Sequence, residues 1–425
     1  MTDISTVKST VPTIGTPLTP NATKVLLLGA GELGRDLAVA FQNLGLEVHA
    51  VDRYEGAPAL QIAHRAYIAD INDDAAVLKL AEEIRPHFVV PEVETVAVGA
   101  LRTLEEQTSA VVVPTAHACE TTKDRESTRA VASDKLGLPT TAYKFAHSVD
   151  ELREAVAELG YPCVIKPDQS TSGKGHMIVR DESDIELAWN RVRRIGSDAE
   201  RVTAERFVDF DFEVTMLVVR SIDPATGELA TWFSEPIGHR HDNGDLVESW
   251  QPLAMNERAL DNARSVAARI TNELGGRGVY GVELFVAGED VYFSSVSPRP
   301  SDAGMLTHHT QRFSEFDLHA RAILGYPIDV TLTSPGAAVV LHADEEIEQV
   351  GYTGVAEAMR YAETDVRLFG KPGAYAGRRM GLVVATAENV EEARDRAALA
   401  ASSIAVVDTQ SADRATDQTP ARGQG

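Results

Sequence analysis

The segment KVLLLGAGELG, residues 24–34, constrains the fold more than any other stretch of this chain. An apolar run feeds a glycine turn, RDLAVAFQNLG continues at helical period, and LEVHAVD supplies a second strand ending at Asp52. HFVVPEVE then runs as a buried strand into Glu92 and Glu94, and AVVVP supplies a fourth. Strands that alternate with helices predict an α/β fold with an open parallel sheet, whose ligands bind at the carboxyl ends of the strands. Gly29, Gly31 and Gly34, with Asp52 at the end of the next strand, satisfy the dinucleotide fingerprint. The same glycines suit any tight strand-to-helix turn in which backbone and helix approach closely. The helix N-terminus favours an anion, whereas Glu32 within the turn suits a cationic or amine group. A nicotinamide cofactor is not expected, because a nucleotide site is readable elsewhere in the chain.

Composition bounds what can surround that sheet. With 425 residues the chain has room for two or three domains and a large core. A formal charge of −24 argues against nonspecific binding to nucleic acid or an anionic membrane, but not against a phosphorylated small molecule in a locally basic pocket. Two cysteines, Cys119 and Cys163, form neither a disulfide framework nor a zinc set, which fits a reducing, cytoplasmic setting. No apolar run approaches a membrane span. Residues 1–23 and 408–425 read as a disordered arm and tail, and the arm lacks the apolar stretch of a signal peptide.

The middle of the chain carries a second glycine-rich segment. SVDELREAVAELG is a helix with a serine cap and a glycine stop, and YPCVIKP and HMIVR are strands around the loop DQSTSGKG. In that loop Ser170, Thr171, Ser172, Gly173, Lys174 and Gly175 offer backbone N–H groups and charge to phosphate oxygens. It is not a P-loop, since Gly175 follows Lys174 and the loop joins two strands. A lid over a nucleotide and a solvent-exposed hairpin both fit it, although Lys166, ending an apolar strand, must reach something anionic. Glu205 and Glu213 flank a strand pair, where they suit adenine and ribose hydroxyls or are simply edge charges. In GVELFVAGEDVYFSSVSPRP a symmetric hairpin turning at Glu289 pairs Phe285 with Phe293 and Glu283 with Ser295. Glu283, Ser295 and Ser297 then share a face, where paired carboxylates would hold magnesium against ATP phosphates. Here the pair has one carboxylate. The adjacent His308 and His309 point apart on a helix and read as ordinary surface. GKPGAYAGRR, with Lys371, Arg378 and Arg379, suits a sugar phosphate.

Taken in order, GAGELGRDLA, VDRYEGAPA, VVPEVE, TKDRE, YPCVIKP…SGKG, FDFEVT, PIGHR…ESWQP, GVYGVELFV, SPRP and RLFGKP…GRRMG resemble formate-dependent phosphoribosylglycinamide formyltransferases of the ATP-grasp superfamily. The resemblance spans about residues 24–407. It implies a pre-ATP-grasp domain over 24–129, a lid subdomain over 130–205 and the rest of the ATP-grasp fold with a phosphate cradle over 206–407. It also implies ATP, Mg2+, a homodimer, and formylation of glycinamide ribonucleotide through formyl phosphate in purine biosynthesis. By the same resemblance, Arg125, Lys166, the 170–175 loop, Glu205, Arg206, Phe207, Val208 and Glu213 contact ATP. Glu32, Leu33, Glu92, Asp302, Lys371, Arg378 and Arg379 contact the ribonucleotide. Lys166, Arg299 and Asp302 are catalytic candidates, and Glu283 is a metal ligand.

The chain departs from the family pattern near that centre. Ser295 stands for the second metal glutamate, Ser301 for the histidine of the PRPHD run, and Asp168 and Gln169 for small or apolar loop residues. Three readings follow: the formyltransferase, a related ligase with another acid or amine, and a nucleotide-binding pseudoenzyme.

Overall fold

The computed structural model describes residues 13–167, 176–195, 201–242 and 244–409. The predicted parallel sheet is present as five strands, in spatial order 65–68, 47–52, 24–28, 88–91 and 111–112, all paired in parallel. The strand order reverses beside Lys24–Leu28, whose two neighbours are Glu47–Asp52 and Phe88–Pro91. A crevice opens at such a reversal, and the residues just past these strands line it.

Two larger antiparallel sheets complete the frame, beside a two-stranded one of 350–353 and 405–408. A nine-stranded sheet runs from strand 290–297 through 278–287, 212–222, 237–242, 245–251, 336–342 and 379–386 to 364–368, with 229–233 on a side branch. A smaller sheet of strands 143–146, 202–206, 163–167 and 177–179 carries helices Val149–Leu159 and Ile185–Ile195 over one core that includes Leu152, Val156, Ile165 and Val192. Ser148 caps the first of these helices by accepting from the Glu151 amide, as its sequence predicts. Leu37 and Phe41, on the helix behind the parallel sheet, share a core with Phe316, Leu318 and Phe369, so that sheet is packed against the large one. Among the described residues no helix is long and apolar enough to cross a membrane.

Two expectations are corrected. Residues 13–23, read as part of a loose arm, are tied down: Gly15 N–H donates to Thr23 Oγ1 at 2.9 Å and Leu18 N–H donates to Glu47. The remaining arm and the tail beyond 409 lie outside the described residues. The hairpin is not symmetric about Glu289. It turns over Gly288–Glu289 with Ala287 opposite Asp290, so Phe285 faces Tyr292 and not Phe293. A bulge between Glu283 and Leu284 then restores the predicted pairing of Glu283 with Ser295.

A buried histidine joins the large sheet to helix Glu315–Leu324. His319 Nδ1 accepts from the Val279 amide at 2.9 Å, and a Cβ on Gly278, which holds φ +123°, would lie 2.9 Å from the ring. Burial pushes the His319 pKa down to about 3. The unfolded chain therefore takes up this proton first, and the contribution of His319 to stability is lost as pH falls below about 6.5. His319→Gln keeps an acceptor and removes the titration. Urea unfolding between pH 4 and 6 is expected to show a slope shallower than wild type by up to about 1.4 kcal/mol per pH unit; equal slopes would remove His319 from this role.

Candidate active site

One cavity of about 1320 Å³ runs between the parallel sheet and the two larger antiparallel sheets, and nearly every described candidate residue lines it. At its parallel-sheet end the glycine fingerprint is a packing device. A Cβ on Gly29, at φ +105°, would sit 2.7 Å from Val93 Cγ1, and one on Gly34 would sit 2.7 Å from the Gly29 carbonyl oxygen. The absence of those carbons lets Glu92 and Val93, just past strand 88–91, close onto the turn. Asp52 is occupied there as well, accepting from the Ala30 amide at 2.8 Å and the Arg53 amide at 2.7 Å. The acid of the dinucleotide pattern thus fastens the turn.

Glu32 and Leu33 begin the helix after that turn, and both are buried at the cavity wall. Lys371 Nζ lies 2.9 Å from Glu32, and Arg379 lies 3.1 Å from its other oxygen and pairs with Asp302. Arg378 stacks over Tyr375, donates to the Gly373 carbonyl at 2.5 Å and interacts with Tyr54. Arg299 is buried and pairs with Glu94. Burial pushes the Glu92 carboxyl well above the usual carboxylate range, against the opposing charge of Arg299 and with Glu32 and Glu94 adding to the rise. The PRPSD turn is held from behind by Glu315, which accepts from the Ser301 amide at 3.0 Å.

The other end of the cavity is organised around Glu205. One carboxylate oxygen lies 2.8 Å from Arg129 and the other 2.7 Å from Lys166, and Thr141 donates to it at 3.2 Å. Burial pushes Glu205 up, but Lys166, Arg129 and Arg125 outweigh it and hold the carboxyl well below its usual range. Arg129 also donates to the Phe293 carbonyl at 3.0 Å, so one guanidinium ties the small sheet to the large one. Arg125 donates to the Pro167 carbonyl at 3.1 Å and reaches His176 Nε2 at 3.0 Å. Arg206, Phe207 and Val208 form the crossing between the small and large sheets at the cavity, and beside them Phe210 stacks on Phe285 with centroids 4.7 Å apart. Ser170, Thr171, Ser172, Gly173, Lys174 and Gly175, with Asp168 and Gln169, lie outside the described residues.

Between these ends stand Glu283 and Ser295, with the Ser295 hydroxyl donating to Glu283 at 2.7 Å. A single carboxylate beside a hydroxyl fits a magnesium ion whose remaining ligands are phosphate oxygens and water, because that ion is commonly held by one or two carboxylates plus substrate. On the same sheet face Glu213 faces His239 across strands, with His241 2.7 Å from Glu213. His308 and His309 do diverge, toward Asp36 at 2.9 Å and Asp365 at 3.0 Å, but His308 is stacked on Phe316 and partly buried, not plain surface. Sequence reasoning passed over Arg129, His176, His239 and His241. Arg129 sits in an ordinary helical run and carries no local signal, whereas the alternation in GHRH would have put both later histidines on one face.

Removing the anion from the triad is the sharpest test of this end. Glu205→Gln leaves two buried cations without their carboxylate and is expected to lower unfolding stability by about 3–5 kcal/mol. A loss under about 1 kcal/mol in urea melts would show that the pair carries no such weight.

Family models match most of the chain: a ribonucleotide synthetase preATP-grasp domain over residues 22–123, an ATP-grasp domain over 131–316 and a PurT C-terminal domain over 336–404. The formate-dependent phosphoribosylglycinamide formyltransferase of Corynebacterium glutamicum is 59% identical over 401 residues, covering 94% of this chain and 98% of that protein. Its counterpart from Paraburkholderia xenovorans is 51% identical, covering 92% and 97%. A solved structure described as glycinamide-RNase-transformylase T from Mycobacterium tuberculosis superposes with a TM-score of 0.75 at 38% identity, covering 90% of this chain and all of the other. An ADP complex of N5-carboxyaminoimidazole ribonucleotide synthetase superposes at 0.78 with 28% identity, covering 91% and 97%.

Proposed function

This chain belongs to the formate-dependent phosphoribosylglycinamide formyltransferases, and we propose that it uses ATP to join formate to the amine of 5′-phosphoribosylglycinamide through formyl phosphate. The observation that carries this reading is the pairing of two differently charged ends in one cavity. One end has Lys166, Arg125 and Arg129 around Glu205, which supports a polyphosphate. The other has Lys371, Arg378 and Arg379 beside Glu32, Glu92 and Asp302, which supports a molecule with a phosphate and an amine. An acyl phosphate made at the first end can reach the second within the same cavity.

In the first step a formate oxygen attacks the γ-phosphorus of ATP and the bond to the β-bridging oxygen breaks, releasing ADP. The glycinamide nitrogen then attacks the formyl carbon, phosphate leaves with one formate oxygen, and a proton is lost from nitrogen. Magnesium, when bound by Glu283 and phosphate oxygens, would neutralise charge on the transferring phosphoryl group. Lys166, held by Glu205, supplies fixed positive charge to the same group. Arg299, locked by Glu94, keeps the PRPSD turn and hence Asp302 at the reacting centre. Glu92, at the cavity wall beside Glu32, is placed to accept that proton. Glu32 and Asp302 then have the orienting role, and Glu213 accepts from ribose hydroxyls.

Lys371 and Arg379 neutralise Glu32 and Asp302, whereas Arg378 spends its charge on neutral groups. Arg378→Ala is therefore expected to weaken ribonucleotide binding by about 1.5–3 kcal/mol, roughly 10- to 150-fold, while ATP affinity holds. Unchanged ribonucleotide affinity by calorimetry would displace the phosphate from this cradle.

Ser295 bears on rate more than on binding. Losing one preorganised electrostatic contact slows chemistry by roughly 100- to 1000-fold, and Ser295→Glu restores a carboxylate opposite Glu283. The test is formate-dependent ADP release with glycinamide ribonucleotide, across a magnesium titration. Ser295→Glu should raise the rate and lower the magnesium requirement. A fast wild type that is slowed by the change would show that the hydroxyl belongs to a rebuilt site, and absence of formate-dependent turnover in both proteins would favour a nucleotide-binding protein without this activity.

A further inference from the structure

We propose that Glu213, His239 and His241 form a binding site for a divalent transition ion of the Zn2+ or Co2+ class, separate in its ligands from the carboxylate at Glu283. The sequence places them by register. Glu213 pairs with His239 across strands 212–222 and 237–242, and strand alternation puts His241, two residues further on, on the same face. One ligand atom from each residue lies within 4.8 Å of the other two. Both imidazoles converge on one oxygen: His241 Nδ1 stands 2.7 Å and His239 Nε2 3.4 Å from Glu213 Oε2. Their rings meet edge to face at 86°, with centroids 5.1 Å apart, so the nitrogens approach from different directions.

The spacing of each imidazole from Glu213 is close to what an ion requires. Zinc holds nitrogen and oxygen at about 2.0–2.2 Å, which at tetrahedral angles puts ligand atoms about 3.3 Å apart. The His239–Glu213 distance already meets that value, and the His241–Glu213 hydrogen bond needs to open by less than 1 Å. The second ring nitrogen of His239 is engaged by Thr215 Oγ1 at 3.2 Å, an outer-shell partner that fixes the ring and leaves Nε2 as the ligating atom. Glu283 stands on the adjoining strand, and its charge acts on both imidazoles. Two imidazoles select a borderline ion over magnesium, which prefers oxygen alone. Glu213, His239, His241 and Glu283 line the open cavity, which gives an ion and its remaining water ligands access.

Ion binding by these three residues needs neither nucleotide nor ribonucleotide, so the site stands or falls apart from the proposed reaction. Chelator-treated full-length protein is titrated with Zn2+ by calorimetry and with Co2+ by visible absorption, without nucleotide. Expected are saturable one-to-one binding with micromolar or tighter affinity, Co2+ ligand-field bands, and no displacement by millimolar Mg2+. His241→Gln should lower the affinity at least 10-fold, and Thr215→Val should lower it less. Circular dichroism checks that His241→Gln folds. Should it not fold, Co2+-induced shifts of the His239 and His241 ring protons in the wild type decide the matter. No saturable binding, unchanged affinity and spectrum in folded His241→Gln, or unshifted ring protons would each overturn the site.

Discussion

The buried carboxylate of Glu205, held between Lys166 and Arg129, is the constraint on which the rest of the site depends. Both partners of the Arg129–Glu205 pair are about 2% exposed, so neither charge is compensated by water. Burying these ions is costly unless each is paired with good geometry, and here the pairing fixes the relation of two sheets. Arg129 bonds to Glu205 on the small sheet and to the Phe293 carbonyl on the large one. Strand Asp290–Ser297, which holds Phe293, also carries Ser295. A single network thereby sets the distance between the cationic end of the cavity and the Glu283–Ser295 pair.

The opposite end uses a complementary arrangement. Glu32 and Asp302 come from the parallel sheet's first helix and from the PRPSD turn, while Lys371 comes from the loop after strand 364–368 and Arg379 from the start of strand 379–386. These ion pairs close the cavity wall across segments distant in sequence. A substrate that brings both an amine and a phosphate can replace each internal pairing by one of its own, so neither side is left with an uncompensated charge. This exchange favours a bifunctional ribonucleotide over a simple anion, which would strand Glu32.

How much was legible in the sequence follows from the range of each signal. The parallel sheet and its turn were legible because period, glycines and strand ends are local. Glu283 opposite Ser295 was also reached, although through a wrong turn position that the bulge offset. The role of Asp52 was not, because an acid ending a strand looks the same whether it holds a ribose or the Ala30 amide. Arg129 was invisible for a different reason: its partners lie 76 and 164 residues away, and nothing near it marks a buried cation. The Glu213–His239–His241 cluster needed the strand pairing as well as the alternation, and only the former is supplied by the fold.

The central claim is that one cavity makes an acyl phosphate from formate and passes it to an amine. Formate labelled in both oxygens with 18O tests this directly when given with ATP and glycinamide ribonucleotide. One labelled oxygen should appear in the released phosphate and the other in the formyl group, in equal amounts with ADP. Formylated product with unlabelled phosphate, or ADP release that leaves all label in formate, would contradict the account.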